Sequence, residues 1–252
     1  MPRQRRKESS TGVYHVIAKG INRELIFNQP REKLYLKRIL REFLSNYHVE
    51  IYAYCIMSNH VHLIIKSELR ELSMYMATCL AKYAEYYNYK HKRNGHVFQN
   101  RFKSECIETS QYFWNCVRYI HLNPLKANQI KNIEAYKYSS LGEYKKMNSQ
   151  ILHENAFDIF SGKFEDWEDF MHFHYKNPRQ IFDDVKEDKE RHQREVAMIY
   201  LTEMQQELNI EKPEQIIEER ELREQFKNYL QENLKISIRR CNKIVSEIQE
   251  IL

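Results

Sequence analysis

The chain has 252 residues, 42% hydrophobic and 30% charged, enough for one large domain or a domain with a substantial extension. Its net charge of +5 is uneven: residues 1–150 hold 25 Lys and Arg against 12 Glu and no Asp, a balance of +13, and residues 151–252 hold 15 against 23, a balance of −8. No apolar run nears the roughly 20 residues that span a bilayer, no signal-peptide core follows the basic start, and the five cysteines form no CxxC pair. These features argue against a membrane protein, a disulfide framework and a zinc–thiolate site, and they point to a reducing cytosol. The basic first part suits a phosphate backbone, whose counterions each Lys or Arg contact releases. A merely solubilising surface is the plain alternative.

The run Met1–Lys7 reads either as a basic arm on DNA or as a disordered terminus. Val13 to Lys19 alternates Tyr14, Val16 and Ala18 with Val13, His15 and Ile17, which predicts a first strand; Gly20-Ile21-Asn22-Arg23 breaks it. Pro30 opens a helix in which Leu34, Ile39, Leu40, Phe43 and Leu44 recur at helical spacing through about Asn46. Val49 to Met57 is a second strand, and Ser58-Asn59 turns it tightly into a third that begins at His60. Leu72 to Tyr89 is a tyrosine-rich helix, Lys90 to Gly95 a basic loop, and His96 to Ile107 contains another extended segment. Ser110 to Leu122 is a third helix, stopped by Pro124.

This order predicts an α+β, ferredoxin-like split βαβ fold: an antiparallel sheet with helices on one side, the histidine strand central and the last helix lying across it. Residues 1–150 are expected to form this domain and residues 151–252 an acidic, mostly helical extension. The extension contains a Trp/Phe/His-rich patch, Phe164 to Tyr175. Near its end, Leu234 to Arg240 opens either a helix-turn-helix unit or a plain helical hairpin.

His60-Val61-His62 carries the chemistry. Side chains two apart on a strand share a face, so both imidazoles look out together and make half of a divalent-metal site. Tyr119 ends a helix about sixty residues later, and Asn123, one turn further on, brings an amide oxygen toward the same metal. His121 points about 200° away from Tyr119 and is the weaker ligand candidate. A tyrosine phenol that attacks DNA keeps the energy of the broken phosphodiester in a phosphotyrosine ester, so strands rejoin without ATP. A metal's task is to polarise the scissile phosphate. Arg101 and Lys103 flank Phe102, a mix suited to phosphates and unstacked bases; an edge strand with a packed Phe102 is the alternative.

Several separated segments resemble the REP-associated tyrosine transposases, relatives of the single-tyrosine insertion-sequence transposases in the HUH endonuclease superfamily. They are Tyr14-His15-Val16 with Gly20 and Asn22-Arg23; Ile26-Phe27; Met57 to Leu63; Tyr83 with Tyr87-Asn88; Gly95 to Lys103; Tyr119 to Ala127; and Tyr138-Ser139-Ser140. The resemblance spans roughly residues 12 to 145. It implies His60 and His62 as HUH ligands, Asn123 as third ligand, Mg²⁺ or Mn²⁺ as the metal, and Tyr119 as the nucleophile that takes the 5′ phosphate. It also implies single-stranded DNA beside a hairpin as the substrate, read by the basic arm (Arg3, Arg5, Arg6), Arg23, Arg101 and Lys103. A cytoplasmic, DNA-associated enzyme is expected, with a homodimer left open. The competing readings are a domesticated nucleic-acid-binding regulator without turnover and a relaxase-type nickase. The acidic last hundred residues depart from the family pattern.

Overall fold

The computed structural model describes residues 6–175, 186–234 and 236–251. Strands β1 (Val13–Lys19), β2 (Val49–Ile56), β3 (His60–Ser67) and β4 (Lys103–Cys106) form one sheet in the order β2-β3-β1-β4, every neighbouring pair antiparallel. Helix α1 (Pro30–Glu42) joins β1 to β2, and α2 (Leu69–Lys90) joins β3 to β4. This is the expected ferredoxin-like βαββαβ arrangement, with β3 inside the sheet. β1 falls where it is predicted, and both its faces are buried: Tyr14, Val16 and Ala18 on one, His15 and Ile17 on the other.

Helices cover both faces of the sheet rather than one. The ammonium of Lys37 on α1 lies 5.1 Å from the Tyr54 ring centroid, and Tyr54 pairs with Leu63. α2 packs on α1, where the Tyr75 hydroxyl donates to the Leu40 carbonyl (2.7 Å). His62 alternates with Leu63, so it points to the other face, which α3 (Ser110–Lys126) occupies. A bulge between Ile51 and Ala53 resets the register of β2 against β3.

Three boundaries differ from expectation. α1 ends at Glu42, and Leu44–Asn46 form a separate 3₁₀ turn. α3 is not stopped by Pro124; it runs to Lys126 with the proline inside. The amides of Ala127, Asn128 and Gln129 still bond back to Asn123, Leu125 and Pro124, so the chain turns on past the one missing donor. By internal packing the chain divides into Met1–Lys176 and Asn177–Leu252, whereas the expected division near 150 follows charge. Charge composition changes near 150, but aromatic packing does not. Helices α4 (Leu141–Lys146), α5 (Glu154–Ser161) and α6 (Trp167–Tyr175) belong to the first unit, where Phe160, Phe164 and Phe170 pack with Trp114 of α3.

The second unit contains α7 (Lys186–Glu207), α8 (Pro213–Glu218), α9 (Arg220–Leu234) and α10 (Ile238–Gln249). Its own core includes Leu201, Ile217, Phe226, Leu230, Ile244 and Ile248. The Leu234–Arg240 stretch is the joint between α9 and α10, with the Ser237 side chain capping α10 through the Arg240 amide. Among the described residues no helix is long and apolar enough to cross a membrane.

Gly20 closes β1 for a spatial reason. Its φ of −59° suits any residue, but an added Cβ would sit 2.6 Å from the Glu24 carbonyl oxygen and 3.3 Å from that of Asn59. Gly20→Ala is therefore expected to lower stability by about 1–3 kcal/mol, read as a reduced urea midpoint with unchanged slope.

Candidate active site

His60 and His62 project from β3 toward α3. The ring centroids of His62 and Tyr119 stand 5.7 Å apart at 89°, and those of His60 and His62 stand 4.7 Å apart at 84°. Tyr119 is 3% exposed, His60 5%, and His62 and Asn123 are fully buried. The predicted nucleophile and both predicted histidine ligands thus meet in one place, on elements separated by a whole βαβ crossover. Asn123 lies one turn after Tyr119, and the continuation of α3 through Pro124 makes that spacing truly helical.

Hydrogen bonds assign the ring nitrogens. His60 Nδ1 lies 2.6 Å from Asn59 Oδ1, so Nδ1 carries the hydrogen and Nε2 the lone pair. His62 Nδ1 lies 3.1 Å from His15 Nε2, and when His62 donates there its Nε2 becomes the basic nitrogen. Both Nε2 atoms are buried. Burial, then the neighbouring His60 and His15, pushes the His62 pKa well below its ordinary value and keeps the imidazole neutral, the form that binds metals.

A third histidine, His15, joins this cluster. It sits on β1 with its ring stacked 5.3 Å from His62 and edge-on 6.2 Å from Tyr119. The available signal was one polar residue alternating with Val13 and Ile17 on an apolar strand face.

Asn123 is the test of whether a cation fits. Its Oδ1 and Nδ2 are both buried without a hydrogen-bond partner among the described residues. Leaving a buried amide unsatisfied costs about 1–3 kcal/mol, so such a group asks for a functional explanation. Among the described residues no group of three or more His, Cys, Asp or Glu side chains is arranged for a metal ion. Two neutral imidazoles and one amide oxygen nevertheless suit a divalent cation, because they leave its charge intact and its other positions open.

His121 takes no part in this set. Its Nδ1 faces His174 Nε2 (3.0 Å) and its Nε2 faces Ser140 Oγ (2.8 Å), on the side of α3 turned from Tyr119. A cavity of about 890 Å³ also lies elsewhere: Tyr14, Glu50, Lys66, Ser67 and His153 line it at the opposite end of β3 from His60.

Of the expected DNA contacts, Arg3 and Arg5 lie outside the described residues. The Arg6 guanidinium stacks 3.8 Å from the Phe102 centroid and donates to the Phe102 carbonyl (3.1 Å). Burial and then the charge of Arg101 lower the Arg6 pKa, so the arm and the Arg101 segment converge. Arg101 and Lys103 are exposed beside the edge strand β4, whereas Phe102 is buried. The packed-edge reading of Phe102 therefore holds, and its ring is not offered to unstacked bases. Arg23 is exposed in a left-handed turn (φ 63°) after β1.

One prediction concerns His174, whose Nδ1 donates to the Phe170 carbonyl (2.7 Å). Burial, offset in part by that bond and reinforced by Arg118, lowers its pKa from 6.5 to about 4. The groups facing it are His121 and Arg118 of α3. Its folded pKa is depressed, so the unfolded chain binds the extra proton between pH 6.5 and 4. Stability is fully present above pH 6.5 and falls by up to about 3 kcal/mol as pH drops to 4. Urea unfolding at pH 7.5 and 4.5 is expected to show a smaller acid loss in His174→Gln than in the wild type.

Residues 8–123, which include this constellation, match the family model described as "Transposase IS200 like". A Haemophilus influenzae protein described as a REP-associated tyrosine transposase is 27% identical over 131 residues, covering 44% of this chain and 74% of the relative. A solved structure of a REP-associated tyrosine transposase bound to a REP hairpin is 18% identical, with a TM-score of 0.48 over 57% of this chain and 84% of that one.

Proposed function

We propose that the first unit is a single-strand DNA endonuclease and strand transferase that acts beside hairpin repeats. Its proposed nucleophile is Tyr119, and its proposed cofactor is Mg²⁺ or Mn²⁺ held by His60, His62 and Asn123. The observation that carries this reading is the Tyr119 ring set 5.7 Å from His62 with the unpartnered Asn123 amide one turn away. When bound, such a cation supplies positive charge that polarises the scissile phosphate. Tyr119 Oη bonds to phosphorus and loses its proton, the P–O3′ bond breaks, and the departing 3′ oxygen gains a proton. The reverse reaction rejoins strands. His15 and Asn59 orient the two imidazoles, and the Lys126 ammonium, 5.9 Å from the Tyr119 ring centroid, adds positive charge beside the phenol. Arg6, Arg101 and Lys103 form the proposed backbone contact, because like charges held close together attract a polyanion.

A single copy holds the nucleophile and the histidines together, so the reaction as proposed needs no second copy. Five cysteines outside any disulfide go with work in a reducing cytosol. The test is incubation with a hairpin oligonucleotide bearing a single-stranded flank and Mn²⁺ or Mg²⁺. A denaturation-resistant protein–DNA adduct supports the enzyme. Tight hairpin binding with no adduct in either metal supports the regulator without turnover instead.

A further inference from the structure

Helix α3 is gripped on two faces. Tyr119 and Asn123 look toward the sheet, whereas Trp114, Arg118 and His121, spaced i, i+4 and i+7, form a row about 150° around the helix and meet α6. Arg118 donates to the Phe173 carbonyl (3.3 Å) and lies over the Phe173 ring. At the end of the row a chain of buried polar groups crosses the core. His174 Nδ1 faces a carbonyl and must donate, so His174 Nε2 accepts from His121 Nδ1. His121 Nε2 then accepts from the Ser140 hydroxyl at 2.8 Å, nearer than that hydroxyl's other acceptor, the Tyr54 carbonyl (3.3 Å), and the hydroxyl oxygen accepts the Tyr54 amide (3.0 Å). His121, Ser140 and His174 are each no more than 1% exposed.

The geometry points to His174 as a positioning residue for Tyr119, acting through His121 with Ser140. This rests on the reading of Tyr119 as nucleophile. The apolar contacts between α3 and α6, such as Trp114 with Phe164 at 4.9 Å, bind the helix but tolerate sliding and rotation. A fully satisfied, directional hydrogen-bond chain does not; it fixes both the turn of the helix about its axis and its height over the sheet. The phenol's place beside His62 depends on both. α6 also lies beyond residues 8–123, so this support comes from a segment outside the family-matched stretch.

The full chain, as wild type, His174→Ala and His174→Gln, is compared in three measurements: single-turnover adduct formation on the hairpin oligonucleotide with Mn²⁺, DNA dissociation constant, and amide hydrogen exchange across residues 115–123. A displacement of about 1 Å costs reactions of this kind roughly 100-fold. His174→Ala is therefore expected to slow adduct formation at least about 30-fold, leave the DNA dissociation constant within about twofold, and speed exchange in α3. The amide of His174→Gln accepts from His121 and donates to Phe170, and is expected to recover most of the rate. A His174→Ala rate near that of the wild type, or a Gln variant as slow as the Ala variant, overturns the proposal. If the wild type forms no adduct, the nucleophile reading fails by itself, and the exchange comparison still decides the positioning: unchanged protection in His174→Ala refutes it, faster exchange supports it. Should His174→Ala not fold, Ser140→Ala removes the other end of the chain and carries the same expectations.

Discussion

Tyr119→Phe is expected to abolish the covalent protein–DNA adduct, lowering its rate at least about 1,000-fold, with hairpin affinity and unfolding midpoint close to those of the wild type. The variant removes one oxygen and leaves the ring that packs edge-on against His62 and His15. The chain has 18 tyrosines, so the choice of this one needs a reason. Other buried phenols are spent on structure: Tyr75 donates to the Leu40 carbonyl, Tyr136 to Ile56 and Tyr144 to Tyr52, at 2.6–2.7 Å. Burial pushes the pKa of each of these up, away from the phenolate that attacks phosphorus. Tyr119 instead packs its ring edge-on against His62 and His15. Denaturing gel electrophoresis of the variant with a labelled hairpin is the check, and an adduct of normal yield transfers the nucleophile to another phenol.

Much of this arrangement was legible in the residues because two local periodicities carry it. Alternation in Val13–Lys19 and at His60–His62 specifies which side chains share a sheet face, and the four-residue step from Tyr119 to Asn123 specifies a helix face. What those periods cannot carry is pairing between distant elements. His15 meets His62 across 47 residues and His174 meets His121 across 53, and neither residue's own segment specifies its partner. Pro124 misled for a related reason: a proline forbids one hydrogen bond locally, but the packing of α3 between sheet and α6 keeps the helix going. The boundary near 150 was read from charge, which reports the surface, while the aromatic packing of Phe160, Phe164 and Phe170 decides which unit the segment joins.

Replacing the paired histidines is expected to separate cutting from binding, and the two positions are not equivalent. His60→Ala should lower adduct formation at least about 100-fold while hairpin affinity and its decline with salt stay nearly unchanged, because the phosphate contacts proposed at Arg6, Arg101 and Lys103 lie on other segments. Its structural cost is expected to be the smaller of the two: its Nδ1 bonds to the neighbouring Asn59, in a turn, and its ring packs edge-on against His62. His62→Ala should stop cutting equally but also destabilise the unit by about 2–4 kcal/mol. It opens a void between His15 and Tyr119 and strips His15 Nε2 of its bond to His62. Adduct yield, affinity at two salt concentrations and urea midpoint, measured on both variants, resolve these terms. A His60→Ala protein that cuts normally removes the imidazole pair from the chemistry. Equal loss of affinity and cutting, with a lowered midpoint in both variants, assigns the histidines to the core instead.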